Sequence, residues 1–157
     1  MIDKIIATII LFLPAYIANS TPVVLGGGPA IDGGRLWSDG KPILGTNKTI
    51  RGCVTGILAG SIVGFVQGNL VGGFAQATGA ILGDLISSFM KRRIDYVPGS
   101  SMPFVDQLDF ITLAVVLSYP FQATNLLSVV IIMIITVPIH YISNYVAWLL
   151  KLKKNPW

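Results

Sequence analysis

The chain has 157 residues, of which 53% are apolar and only 11% charged. So low a charged fraction, against about a quarter in ordinary soluble domains, excludes a water-soluble globule and points to an integral membrane protein. The net charge of +4 is no argument for nucleic acid, because cations in so apolar a chain mark the loops that flank membrane spans; no nucleic-acid partner is expected.

Crossing a bilayer takes about 20 mainly apolar residues, and five stretches qualify: roughly 2 to 20, 52 to 70, 71 to 92, 106 to 122 and 124 to 150. An all-α membrane protein of five transmembrane helices is therefore expected. The first span opens with Asp3 beside Lys4, so it lacks the positive n-region of a signal peptide despite the small residues of "AYIANS". Asn19, near its end, is a candidate to hydrogen-bond a ligand or to cap a neighbouring helix.

The polar segment from Thr21 to Arg51 is too short and Gly-rich for a core of its own, so one membrane domain over residues 1–157 is expected. Gly26, Gly27 and Gly28 read as flexible loop, and Asp32 and Asp39 sit beside glycines as turn residues do. The segment ends in "ILGTNKTIRGCVTG", where Lys48, Thr49 and Arg51 lead into the second span. Cations, a hydroxyl and unpaired helix N–H groups together favour a phosphate, although the Walker spacing is absent.

Gly52, Gly56, Gly60, Gly64 and Gly68 recur every fourth residue along the second span, and Gly79, Gly83 and Ser87 make a similar stripe on the third. Small residues at this spacing let helix backbones approach closely in lipid. Cys53 is the only cysteine, so no intrachain disulfide can form.

The third span carries "AILGDLISSFMKRR". At about 100° per residue Lys91 lies about 20° from Asp84 on the helical wheel and Ser88 about 40° away. Asp84 falls roughly 12 Å below the helix end at Arg92, inside the hydrocarbon of one leaflet. A carboxylate at the centre of a membrane helix costs about 2.5 to 3.5 kcal/mol on insertion scales and normally lines a cavity or an ion path. The plain alternative is an internal salt bridge, or a hydrogen bond to Ser87 or Ser88.

The fourth span opens with "FVDQLDF", placing Asp106 and Asp109 three apart on one face. Asp106 reads equally as a first-turn partner of the helix dipole, whereas Asp109 is already inside the helix. Converging on one cavity, Asp84, Asp106 and Asp109 suit a hard, oxygen-seeking cation such as Mg²⁺. One Cys and one His cannot build a zinc shell. In the fifth span Pro138 is expected to kink the helix, and His140, one turn before Asn144, reads as a hydrogen-bonded interior histidine rather than a catalytic one.

The turns "QGNLVGG" and "YPFQATN" carry no charge, and every cation except Lys4 lies in the first long loop, after the third span, or in the terminal "KLKK". With an odd number of crossings these segments share one side, which the positive-inside bias makes cytoplasmic; the expected topology is N-out, C-in. Three carboxylates and the cations Lys48, Arg51, Lys91 and Arg92 then gather at the cytoplasmic end. Carboxylates call for metal, and metal with cations calls for polyphosphate, which a soluble nucleotide and a phospholipid headgroup both supply. An ion or organophosphate transporter is the rival reading. Carriers, however, show an inverted repeat and a path to both faces, and the outer halves of these spans offer no polar route.

Two families resemble these motifs. "GDLISSFMKRR" followed by "VPGSSMPFVDQLDF" resembles the C-terminal signature of bacterial CDP-diacylglycerol synthases at Gly83, Asp84, Ser88, Lys91, Arg92, Pro98, Gly99, Asp106 and Asp109. It departs from that signature at Ser100, Ser101, Met102 and Gln107. Over essentially its whole length the chain more closely resembles archaeal CDP-archaeol synthases, through Pro14, Ala15, Tyr16, Asn19 and Pro22 and through Lys48, Thr49, Arg51 and Gly52. This resemblance implies a CTP-dependent cytidylyltransferase at the cell membrane. Its partners would be CTP and a lipid phosphate with isoprenoid ether chains, 2,3-bis-O-(geranylgeranyl)-sn-glycerol 1-phosphate, with pyrophosphate as the leaving group. Asp84, Lys91 and Arg92 would be catalytic, and Asp84, Asp106 and Asp109 would hold Mg²⁺. Asn19, Lys48, Thr49, Arg51, Gly52, Ser88, Lys91 and Arg92 would bind substrate. The oligomeric state stays open, a homodimer being one option.

Overall fold

The computed structural model describes residues 1–97, 99–153 and 155–156, so Pro98 of the "VPGSSMPFVDQLDF" motif and Lys154 of the terminal basic run lie outside the described residues. The described elements are α1 (Ile2–Leu11), α2 (Leu13–Leu25), α3 (Ile50–Val66), α4 (Leu70–Arg93), α5 (Val105–Ser118), a 3-10 turn at Tyr119–Phe121, and α6 (Leu126–Leu149). Among the described residues, strand pairing is limited to the isolated bridges Ala30 to Thr49 and Leu36 to Pro42, both inside the loop between α2 and α3.

The first expected span is a broken one. α1 and α2 meet at Phe12 with a bend of 56°. Pro14 is the cause: it has no N–H for the Ile10 carbonyl, and the Ala15 N–H bonds to Phe12 rather than Leu11. The two freed carbonyls find side chains from other helices, Ile10 O accepting from Gln67 Nε2 at 2.7 Å and Leu11 O from Gln76 Nε2 at 2.8 Å. This end of the bundle is thus more polar than its sequence suggests, and the glutamines there satisfy backbone.

α3 starts on Thr49, whose hydroxyl accepts the Gly52 N–H at 3.1 Å, and buries Gly52, Gly56, Gly60 and Gly64. A Cβ on Gly56 would lie 2.7 Å from the Ala18 carbonyl, the one that Pro22 leaves without its usual donor. A Cβ on Gly60 would lie 2.6 Å from both the Pro14 carbonyl and the Ala77 Cβ. Gly64 meets Gly73 backbone to backbone, so the stripe wedges α3 between α2 and α4. Gly68 is not part of it. With φ of 79° and no neighbour, it makes the turn into α4, which Asn69 then caps at Gly72 N.

The second stripe turns to α5 instead. A Cβ on Gly79 would touch Leu113 and Ala114, and one on Gly83 would strike the Asp109 carbonyl. Ala15, Ala18, Ala77, Ala80 and Ala114 line the resulting core with Phe12, Phe110, Ile111 and Ile132. Small residues at its centre set α2, α4 and α5 close together. α6 packs outside them, with Ile134, Ile142 and Leu149 exposed where lipid would lie.

Among the described residues, only α4 and α6 are by themselves long and apolar enough to cross a membrane, and the bent α1–α2 pair makes up to three. α3, with 17 residues, is a shorter apolar helix. The fourth expected span, 106 to 122, has 14 residues of α-helix before the 3-10 turn at Pro120. That is about 21 Å of helix, short of a hydrocarbon core of about 30 Å. Pro138 sits inside an uninterrupted α6.

Candidate active site

The loop between α2 and α3 is tied down before it delivers Lys48. Asp32 accepts the N–H groups of Gly34, Leu44 and Gly45 at 2.9, 2.9 and 3.2 Å, closing the loop on itself. Burial pushes the Asp32 carboxyl up, but these three donors outweigh it and hold the group below its ordinary value. The loop is then stapled to the end of α4. Arg93 donates to Asp39 Oδ1 at 2.6 Å and to the Pro42 carbonyl, while its guanidinium lies 4.8 Å over the Phe89 ring. Lys41 bonds the Arg93 carbonyl at 3.1 Å and Asp95 at 2.7 Å, and Trp37 packs edge-on against Phe89. Asp32 and Asp39 are turn residues, as expected, with this clamping role in addition.

Lys48 arrives over α4 with Nζ 2.6 and 2.5 Å from the two oxygens of Asp84. Asp84 is thus paired with the loop rather than with Ser87, Ser88 or the Lys91 of its own face. Lys91 reaches instead across to α5, where Nζ lies 2.7 Å from Asp106 Oδ1 and 3.5 Å from the Ser100 carbonyl. The other Asp106 oxygen accepts the Met102 N–H at 2.9 Å. Asp106 therefore braces the turn before α5 and does not cap its helix. That turn is strained, Phe104 standing at φ of 65°.

Asp109 sits one turn deeper, partly buried, with Oδ1 on its own Phe110 N–H and within electrostatic reach of both Asp84 and Asp106. Gly83 governs this spacing, because its missing Cβ is what lets the backbone at Asp109 lie against Asp84's own turn. Arg92 is only 4% exposed, and its Nε and Nη1 have no partner. A buried cation with open donors is costly unless something anionic completes it. Ser88 is buried on the same helix, Asn19 is half-buried on α2, and Arg51 projects outward from the first turn of α3. Thr49 and Gly52 are already committed to each other, the hydroxyl to the N–H and the bare Cα to the Pro22 ring.

Asp84, Asp106 and Asp109 offer only oxygen donors, which fits a hard divalent ion. The three are not gathered into a cage: among the described residues no three acidic, His or Cys side chains stand close enough to hold a metal together. Lys48 and Lys91 stand where a cation would, one on each of the two outer carboxylates.

Sequence reasoning treated the terminal basic run as a topology signal and missed Lys153. Its Nζ bonds Asn144 Oδ1 at 3.0 Å, and it lies within electrostatic reach of Asp106, Lys48, Asp84 and Lys91. His140 is hydrogen-bonded and interior, as expected, with Asn144 3.1 Å from Nδ1 and its ring tilted on Phe110.

Close-packed apolar helices with acid–lysine pairs and a buried arginine at one end define an all-helical protein of the membrane type with a charged site at one end of its bundle. Comparison sharpens the class. The family model for CDP-archaeol synthase matches residues 1–74 and 69–157. The chain is 42% identical to the CDP-archaeol synthase of Methanopyrus kandleri, over 92% of this chain and 89% of that one. It is 39% identical to that of Thermococcus kodakarensis, over 92% of each. A solved chain described as an intramembrane enzyme of archaeal membrane lipid biosynthesis superposes with a TM-score of 0.77 at 37% identity, over 89% of this chain and 94% of that one. The chain belongs to the CDP-archaeol synthase family, and it is an enzyme, a CTP-using cytidylyltransferase.

Proposed function

We propose that the protein transfers the cytidylyl group of CTP to 2,3-bis-O-(geranylgeranyl)-sn-glycerol 1-phosphate, forming CDP-archaeol and releasing pyrophosphate at the cytoplasmic face of the cell membrane. The observation that carries this reading is Arg92, buried with open donors and within electrostatic reach of Asp106, at the end of α4 where Lys48 and Lys91 face carboxylates. Such a set of charges suits two phosphate groups brought together. The names of the relatives supply the nucleotide and the lipid.

The nucleophile is an oxygen of the lipid phosphate, already ionised at neutral pH, so no general base is needed. It attacks the α-phosphorus of CTP. A P–O bond forms there as the bond to the β-phosphate's bridging oxygen breaks, and pyrophosphate leaves with the electron pair. The obstacle is repulsion between two polyanions, and catalysis is therefore alignment and electrostatics. Lys48 and Lys91 turn from their carboxylates to phosphate oxygens, Arg92 completes its open donors on the same groups, and Arg51 reaches them from the α3 N-terminus. Thr49 and Gly52 orient that N-terminus, and Asn19 and Ser88 offer polar contacts beside it. Mg²⁺ held by Asp84 and Asp106, with Asp109 behind them, would supply charge neutralisation on the phosphates.

The chain runs N-out, C-in as one membrane domain. In this arrangement α3 and α5 cross as short helices within the packed bundle, α5 sheltered by α4 and α6. The test is purified protein with labelled CTP, Mg²⁺ and the ether-lipid phosphate. Labelled CDP-lipid and stoichiometric pyrophosphate are expected; a protein that moves phosphate compounds without releasing pyrophosphate would overturn the reading.

A further inference from the structure

α6 ends in a turn that carries the chain back on itself. The Leu152 N–H bonds the Ala147 carbonyl at 2.9 Å and the Lys151 N–H bonds the Trp148 carbonyl at 2.9 Å, the two bonds of a Schellman motif. The pivot of that motif is normally glycine, yet here it is Lys151 at φ of 59°. A left-handed non-glycine residue costs roughly 1 to 2 kcal/mol, so the reversal is held against strain. Its result is to aim Lys153 inward.

Lys153 is fixed there by a polar bridge. An ammonium only donates, so the Asn144 atom facing it at 3.0 Å is the amide oxygen. The Asn144 NH₂ then faces His140, 3.1 Å from Nδ1. The same NH₂ lies 3.4 Å from Nε2, and whichever ring nitrogen accepts carries no proton, so His140 is neutral. The ring is wedged against Phe110, the residue after Asp109. The His140 end of the bridge thus rests on α5, which also carries Asp106. Lys153 shares the electrostatic field of Asp84, Asp106, Lys48 and Lys91.

We propose that Lys153 is a further substrate-binding residue, contacting a phosphate oxygen in this same site, and that Asn144 and His140 are its positioning residues. The inference rests on the proposed cytidylyl transfer. The phosphate is either that of the lipid or one of the CTP triphosphate, and separate titrations of the two substrates distinguish them.

The experiment is steady-state kinetics of the purified full chain in detergent or bilayer discs. Lys153→Ala is expected to raise one KM about tenfold or more, the range of a charged hydrogen bond, with kcat changed far less. A rise for the lipid identifies the lipid phosphate, and a rise for CTP identifies the triphosphate. Lys153→Arg restores most of the lost affinity. Lys151→Pro, which cannot adopt a positive φ, reproduces the same KM shift with Lys153 intact, whereas Lys151→Gly does not. Both KM values unchanged in Lys153→Ala, or a fall in kcat alone, overturns the inference while wild-type turnover leaves the function standing. Absence of wild-type cytidylyl transfer overturns both.

Discussion

Lys48 closes over both oxygens of Asp84, so a cation from a loop neutralises the carboxylate in the third quarter of α4. The pair is a quarter to a third exposed, which places it between a surface ion pair and a fully buried one. Lys48→Met leaves a partly desolvated carboxylate behind and is expected to cost about 1 to 2 kcal/mol. Asp84→Asn in the same background recovers part of that loss, a positive coupling readable in a double-mutant cycle of thermal stability.

Gly83 sets the distance between the two acidic helices. Gly83→Ala forces α4 from α5 at the Asp109 carbonyl and is expected to cost about 1 to 3 kcal/mol, the usual range for overpacking. Turnover falls by more than the stability loss accounts for, because Asp84 and Asp109 move apart together. Gly56→Ala, tight against the Ala18 carbonyl and the Ile81 side chain, also lowers the melting temperature, with a smaller effect on turnover per molecule folded.

Arg92 distinguishes charge from shape. Arg92→Lys keeps the charge but loses the planar fork, so it is expected to bind CTP or the lipid phosphate at least about tenfold more weakly. Arg92→Met removes the buried charge and its open donors; it folds at least as stably as the wild type while losing turnover. Melting curves alongside kcat/KM separate the two effects.

The loop should loosen in acid. The Asp32 pKa is lowered by folding, so its contribution is present above the ordinary carboxylate value of 3.8 and is lost as pH falls through the lower, folded value. Hydrogen exchange at Leu44 and Gly45, corrected for the intrinsic pH dependence, is expected to lose protection in that window. Asp32→Asn shows the same loss at neutral pH.

Much of this arrangement was legible in the sequence, and what was hidden had identifiable causes. Asp84, Asp106, Lys91 and Arg92 stood out because charge in an apolar helix is expensive, and Lys48 because with Thr49 and Arg51 it leads into a helix N-terminus. Their pairing did not, since the helical wheel joins Lys91 to Asp84 whereas the long side chains cross to other elements. The glycine stripe of α3 showed in its period, but Gly68 shared that period while belonging to a turn. Hydropathy found the apolar runs and could not see that Pro14 breaks the first one, because the compensating donors, Gln67 and Gln76, lie far along the chain. Lys153 was masked for a similar reason: only the reversed turn at Lys151 makes a terminal cation part of the site.

Pyrophosphate release by Asp84→Asn, titrated with Mg²⁺ at saturating CTP and lipid phosphate, tests the central claim most directly. Turnover at least about a hundredfold below wild type at every Mg²⁺ concentration, with the protein still folded and its melting transition cooperative, is the result this account predicts. Turnover near the wild-type level, with the same dependence on Mg²⁺, would contradict it.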